Sequence, residues 1–170
     1  MARCRGQLRE GWRAMDFGIQ SNLWQIVGRL GLAVLVGSVL GINRNLRRKP
    51  AGVRTHALVS LGTALVTLIA FEGTGHDPGA TSRVVQGLVT GIGFLGAGVI
   101  IHHDAEHRVE GLTTAATVWM TAIFGIACGV GQGGIVLVGL VFALGVLVCG
   151  RSVEHAMARW LNRGDNFESD

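Results

Sequence analysis

Apolar residues in this chain fall into long uncharged runs separated by short polar stretches. A helix that crosses a bilayer needs roughly 17–25 mostly apolar residues. Five segments approach or meet that length: Asn22–Ile42, Thr55–Phe71, Val84–Ile101, Leu112–Val130 and Ile135–Gly150. The pattern predicts an all-α protein, a polytopic membrane helical bundle of about five transmembrane helices over residues 22–150. Gly129, Gly131, Gly133 and Gly134 surround Gln132 and keep the last two segments apart. After them, Val153, Met157, Trp160 and Leu161 recur near helical spacing. The tail 151–170 therefore reads as a short amphipathic helix at the headgroup layer, or as a frayed end.

The third segment is the most distinctive. Gly91, Gly93, Gly96 and Gly98 occupy four of the eleven positions from Gly91 to Ile101. Glycine weakens a helix in water by about 1 kcal/mol relative to alanine. In lipid, small residues let helix backbones approach, because association there rests on van der Waals packing. Gly87, Gly91, Gly93, Gly96 and Gly98 are accordingly expected to be the packing positions at the bundle centre. Gly37/Gly41 and Gly125/Gly129 offer two further small-residue faces, suited to a homo-oligomer.

Composition strengthens the membrane reading. Hydrophobic residues make up 49%, charged residues only 15%, and the mean hydropathy is +0.44, against roughly 25% charged in an ordinary globular domain. Arg44, Arg47, Arg48, Lys49 and Arg54 crowd into the first connection. In a soluble protein such a run could contact nucleic acid. Between two membrane segments it reads as a topology signal and a headgroup contact, which excludes nucleic acid as the expected partner. Basic loops face the cytoplasm, so Asn43–Arg54, His102–Gly111 and the tail from Arg151 are placed inside, and the N-terminus outside. Arg3, Arg5, Arg9 and Arg13 disagree with an external N-terminus. Residues 1–21 are thus read as an external extension or as the product of a mis-set start, with Met15 as the true beginning. Cys4, Cys128 and Cys149 show no pairing or ligand spacing.

Charged groups inside spans are costly and normally find partners. Arg29, in the first span, is expected to pair with Glu72 or Asp77, or else to snorkel to the outer headgroups. Polar stripes run along three segments: His56, Ser60, Thr63 and Thr67; Gln86 and Thr90, continued by Gly93 and Ala97; and Thr113, Thr117 and Thr121. Each is expected to turn inward, as a cleft or as interhelical hydrogen bonds. No Asp or Glu falls inside a span, which weighs against a magnesium site. His102, His103, Asp104, Glu106 and His107 make no defined ligand set and read as a solvated loop. No nucleophile–base pair or phosphate loop appears, so neither an enzyme nor a cofactor or metal protein is expected.

Taken together, Arg29-Leu30, Gly41-Ile42-Asn43-Arg44, Ala51-Gly52-Val53-Arg54-Thr55-His56, Gly91–Ile101 and Gly111-Leu112-Thr113-Thr114-Ala115-Ala116 resemble the membrane domain of the MgtC/SapB family of bacterial proteins. The similarity covers roughly Leu23 to Gly131. It implies a multi-pass inner-membrane protein linked to magnesium homeostasis and stress adaptation, acting as a regulator of another inner-membrane protein rather than as a transporter. The alternative is a transporter or channel for a cation such as magnesium, or for a small solute. The matching polar positions are Arg29, Arg44, Arg54, Thr55, Asp77, Gln86, Arg108, Thr113 and Thr114. They suggest a cytoplasmic surface on which Arg44 and Arg54 meet Glu110. Asn43 stands where the family usually has glutamate. The absence of a soluble C-terminal domain resembles the short, SapB-like branch.

Overall fold

The computed structural model describes residues 2–73, 75, 77–103 and 108–164, with side chains over 23–73, 75, 77–100 and 110–150. The described elements run in the order α1 (Ala2–Leu46), α2 (Val53–Gly73), α3 (Pro78–Gly98), β1 (Ile101–His103), β2 (Arg108–Glu110), α4 (Leu112–Val130) and α5 (Gly133–Gly164). This is the expected helical bundle. Among the described residues four stretches are long and apolar enough to cross a membrane: Leu23–Leu46, Val53–Gly73, Leu112–Val130 and Gly133–Gly150. The third predicted span is helical over 21 residues but falls outside that set. Six glycines together with Arg83 and Gln86 dilute its apolar content.

The ends of the helices follow local chemistry. Helix α1 extends well before the predicted Asn22, because Arg, Gln, Leu, Glu and Ala between residues 2 and 22 are good helix formers even where they are not apolar. Helix α3 begins six residues before the predicted Val84. Asp77 accepts hydrogen bonds from the backbone N–H groups of Gly79 (3.0 Å) and Ala80 (3.3 Å), and Pro78 occupies the first helical position. That is a strong start signal. The chain leaves α3 at Val99 and enters an antiparallel pairing of Ile101 with Glu110, His102 with Val109 and His103 with Arg108. The segment expected to be a plain loop therefore contains a two-stranded ladder. Gly111 then enters α4 with φ 94°, and a Cβ there would lie 2.0 Å from the Val99 carbonyl oxygen. Only glycine fits so close a return of the chain in the left-handed region. Helix α4 matches its predicted limits and ends at Gly131 (φ 88°), whose N–H donates to the Ala127 and Cys128 carbonyls.

Two compact units divide at Gly131 and Gln132. In the first, α1, α2 and α4 form a three-helix core, with α3 packed on α4 and α2. Contacts fix the directions. Gly37 on α1 abuts the His56 backbone, and Gly41 abuts Val53, so α1 and α2 run antiparallel. Gly125 abuts Ser60 and Thr63, and Gly129 abuts Ala64 and Thr67, so α2 and α4 run parallel. Ile92 clusters with Val118 and Ala122, while a Cβ on Gly96 would lie 3.7 Å from Ala115, so α3 runs antiparallel to α4. In the second unit α5 runs unbroken from its apolar part into the Arg151–Gly164 stretch, with Leu137, Val141 and Phe142 exposed.

Candidate functional site

A polar seam fills the core between α1, α2 and α4. His56, Ser60, Thr63 and Thr67 lie one above the other on α2, at spacings that return to one helix face. All four are buried, as are Thr114, Thr117 and Thr121 on α4. The inward stripes expected of the second and fourth segments are therefore present, with one exchange: Thr114 takes the place of Thr113, which is exposed. Three of the six hydroxyls bond within their own helix. Thr63 donates to the Val59 and Ser60 carbonyls (2.9 and 3.1 Å), Thr117 to the Thr114 carbonyl (2.8 Å) and Thr121 to the Thr117 carbonyl (2.8 Å).

At one end of the seam Arg44, only 3% exposed, donates from Nη2 to the Thr114 hydroxyl. His56 donates from Nδ1 to the Gly52 carbonyl at 3.0 Å. Its Nε2 is buried without a partner among the described residues, as are Asn43 Oδ1, Ser60 Oγ and Thr67 Oγ1. A buried polar atom left unbonded costs roughly 1–3 kcal/mol, so this seam is held together by the packing around it. The expected surface at which Arg44 and Arg54 meet Glu110 is not found. Arg44 turns inward to Thr114, Arg54 and Glu110 are exposed, and among the described residues no ion pair joins them. Thr55 is exposed as well. The Arg108 and His103 side chains and residues 104–107 lie outside the described residues, so the histidine cluster does too.

At the other end, Arg29 Nη1 lies 3.3 Å from Glu72 Oε1 and donates to the Gly129 carbonyl at 3.2 Å. One guanidinium thereby joins α1, the end of α2 and the last turn of α4, where carbonyls lack intrahelical donors. Of the two predicted acids Glu72 is the partner, because Asp77 is engaged in capping α3.

Helix α3 departs most from expectation. Gln86, Thr90, Gly93 and Ala97 are exposed, and Ile92 and Gly96 face inward instead. A Cβ on Gly87, Gly91, Gly93 or Gly98 would meet nothing within 4 Å, and on Gly96 only Ala115 at 3.7 Å. Gly87, Gly91, Gly93 and Gly98 therefore do not bring helices together within the described chain, whereas Gly96 is buried against α4 as expected. The close contacts belong to Gly37, Gly41, Gly125 and Gly129, where a Cβ would fall 2.0–2.6 Å from atoms of α2. These pairs, which in the sequence could equally serve a homo-oligomer, are thus used inside the bundle. Their spacing was a readable small-residue signal, but it could not say which helix they face. The exposed face of α3 instead presents Gln86, Gly87, Thr90, Gly91 and Phe94, the last 84% exposed. Phe71, Pro78, Thr81, Ser82 and Val85 line an open groove beside Gln86.

Helices long and apolar enough to cross a bilayer, a buried polar seam between them and an arginine that joins three of them define a multi-pass membrane protein. Residues 30–156 match the model of the MgtC family. The chain belongs to that family. It is 44% identical over 126 residues to protein SrpB of Synechococcus elongatus, covering 68% of this chain and 69% of SrpB. It is 36% identical over 148 residues to an uncharacterized protein of Haemophilus influenzae, covering 81% and 59% of the two chains. Its identity to protein MgtC of Salmonella typhimurium is 44% over 100 residues, covering 59% of this chain and 41% of MgtC. The matched region thus spans less than half of that MgtC. No solved structure matches the chain significantly.

Proposed function

We propose that this protein is a non-enzymatic modulator of another inner-membrane protein of the bacterial cell, engaged through the exposed face of α3 and linked to magnesium limitation as the family resemblance implies. The observation that carries this reading is the composition of that face. The Gln86 amide makes no hydrogen bond among the described residues, and Gly87 and Gly91 stand open beside Phe94. Lipid chains cannot bond an amide, whereas a partner helix can both bond it and settle against the glycines. The seam supports a modulator over a conduit, since it holds no carboxylate and its unpartnered atoms have almost no water-accessible surface.

A photo-reactive residue at Phe94 tests the reading in cells grown with and without magnesium. A discrete cross-linked membrane partner that disappears with Gly91→Leu is the expected result. Substrate-dependent flux by the purified protein alone in proteoliposomes would overturn it in favour of a transporter.

A further inference from the structure

The connection between α1 and α2 is charged well beyond what the bundle uses. Of the five cations on it and on the helix ends that flank it, Arg44 turns inward to Thr114. Arg47, Arg48, Lys49 and Arg54 make no side-chain hydrogen bond or ion pair among the described residues, and all but the half-buried Arg47 are exposed. The turn that carries them is shaped by its own backbone. The N–H groups of Arg47 and Lys49 donate to the Arg44 carbonyl (3.1 and 3.2 Å), and that of Arg48 donates to the Asn45 carbonyl (3.0 Å). Arg48 and Ala51 take φ values of 50° and 58°, a region that residues with a Cβ rarely adopt. The close approach of Gly41 to Val53 brings the end of α1 beside the start of α2, so Arg54 follows directly on the turn.

Just before the cations, Ile42 and Leu46 in the last turns of α1 are 49% and 80% exposed. The same surface therefore steps from bare apolar side chains to bare cations within a few residues. We propose that this turn is a binding site for an anionic phospholipid, whose headgroup phosphate lies among Arg48, Lys49 and Arg54 and whose acyl chain runs along Ile42 and Leu46. Four cations without an internal counter-ion, at the depth where an apolar span meets water, complement a phosphate. A free phosphate would use the cations but gain nothing from Leu46. A nucleic acid would use neither Leu46 nor Ile42.

The test offers the full chain, purified in neutral detergent, an equal mixture of phosphatidylglycerol and phosphatidylcholine, and counts bound lipid by native mass spectrometry. Each cation at an anionic surface contributes about a fivefold preference. Wild type and the control R83Q are expected to favour phosphatidylglycerol by about tenfold or more, and R48Q/K49Q/R54Q by no more than about twofold. R48K/R54K, which keeps the charge, should bind as wild type does, so that a loss through misfolding is recognised. L46Q should lower retention with the charge unchanged. Equal retention by the triple variant, unchanged retention in L46Q, or displacement of the lipid by excess inorganic phosphate or duplex DNA would each overturn the proposal.

Discussion

Arg29 makes two bonds that respond differently to deletion. Glu72 is its ionic partner and is partly exposed, so that pair is worth at most about 1 kcal/mol. The Gly129 carbonyl is a terminal acceptor with few other donors in reach, and a bond to it from a charged group contributes about 1.5–3 kcal/mol. Arg29→Gln is therefore expected to lower the unfolding free energy in detergent more than Glu72→Gln does. The exchange R29E/E72R should recover only the smaller part. Equal losses from the two single variants would show that Gly129 contributes nothing. Arg44 poses the same question in the dry end of the seam. Thr114→Val removes the hydroxyl that accepts from its Nη2 and should cost about 1–3 kcal/mol, whereas Thr114→Ser should cost far less because the acceptor remains. Stability measured by thermal unfolding separates the two. The need of Arg29 for an acid was legible in the sequence, because a charge in an apolar run requires one. The Gly129 carbonyl was not, since a backbone acceptor leaves no mark in the sequence.

The helices themselves were legible wherever an apolar run met a breaker. Helix α4 was predicted to the residue because Gly111 and Gly131 bracket it. The start of α3 was missed although Asp77-Pro78 announces it, because the apolar count outweighed the capping chemistry. Which glycines pack was not legible, because both α3 and the α1/α4 pairs satisfy the same small-residue spacing. The partner surface alone distinguishes them. Gly125→Ala would place a Cβ 2.0 Å from Thr63 Oγ1 and 2.3 Å from the Ser60 carbonyl oxygen. The hydroxyl can rotate away but the backbone cannot, so α2 and α4 must separate, at a cost of about 3 kcal/mol. Gly91→Ala meets open space and also removes a poor helix former. It should leave the stability of the isolated protein unchanged or slightly raised. Paired unfolding curves of the two variants check the contrast, and a Gly91→Ala loss matching that of Gly125→Ala would return the packing role to α3.

For the whole molecule, the parallel course of α2 and α4 decides a question that hydropathy leaves open. His56 and Thr114 lie at the Arg44 end of the core, while Thr67 and Gly129 lie toward the Arg29 end, so both helices cross the core in one direction. The chain leaving α2 at Gly73 must therefore return across the full core before α4 starts at Leu112. Helix α3 is the element that makes the return, antiparallel to α4 through Ile92 and Gly96. Its 21 residues, at 1.5 Å each, reach about 30 Å, the thickness of the hydrocarbon layer. It carries Gln86 and six glycines with its inner face covered by α4, and on the proposed reading a partner helix covers the outer one. Single cysteines at Lys49 and Glu110 should then react with an impermeant maleimide from one side of the membrane, and a cysteine at Gly75 from the other. If Gly75 and Lys49 label from the same side, α2 does not cross. If Gly75 and Glu110 do, α3 lies on the surface, and the parallel arrangement of α2 and α4 across a bilayer is lost with it.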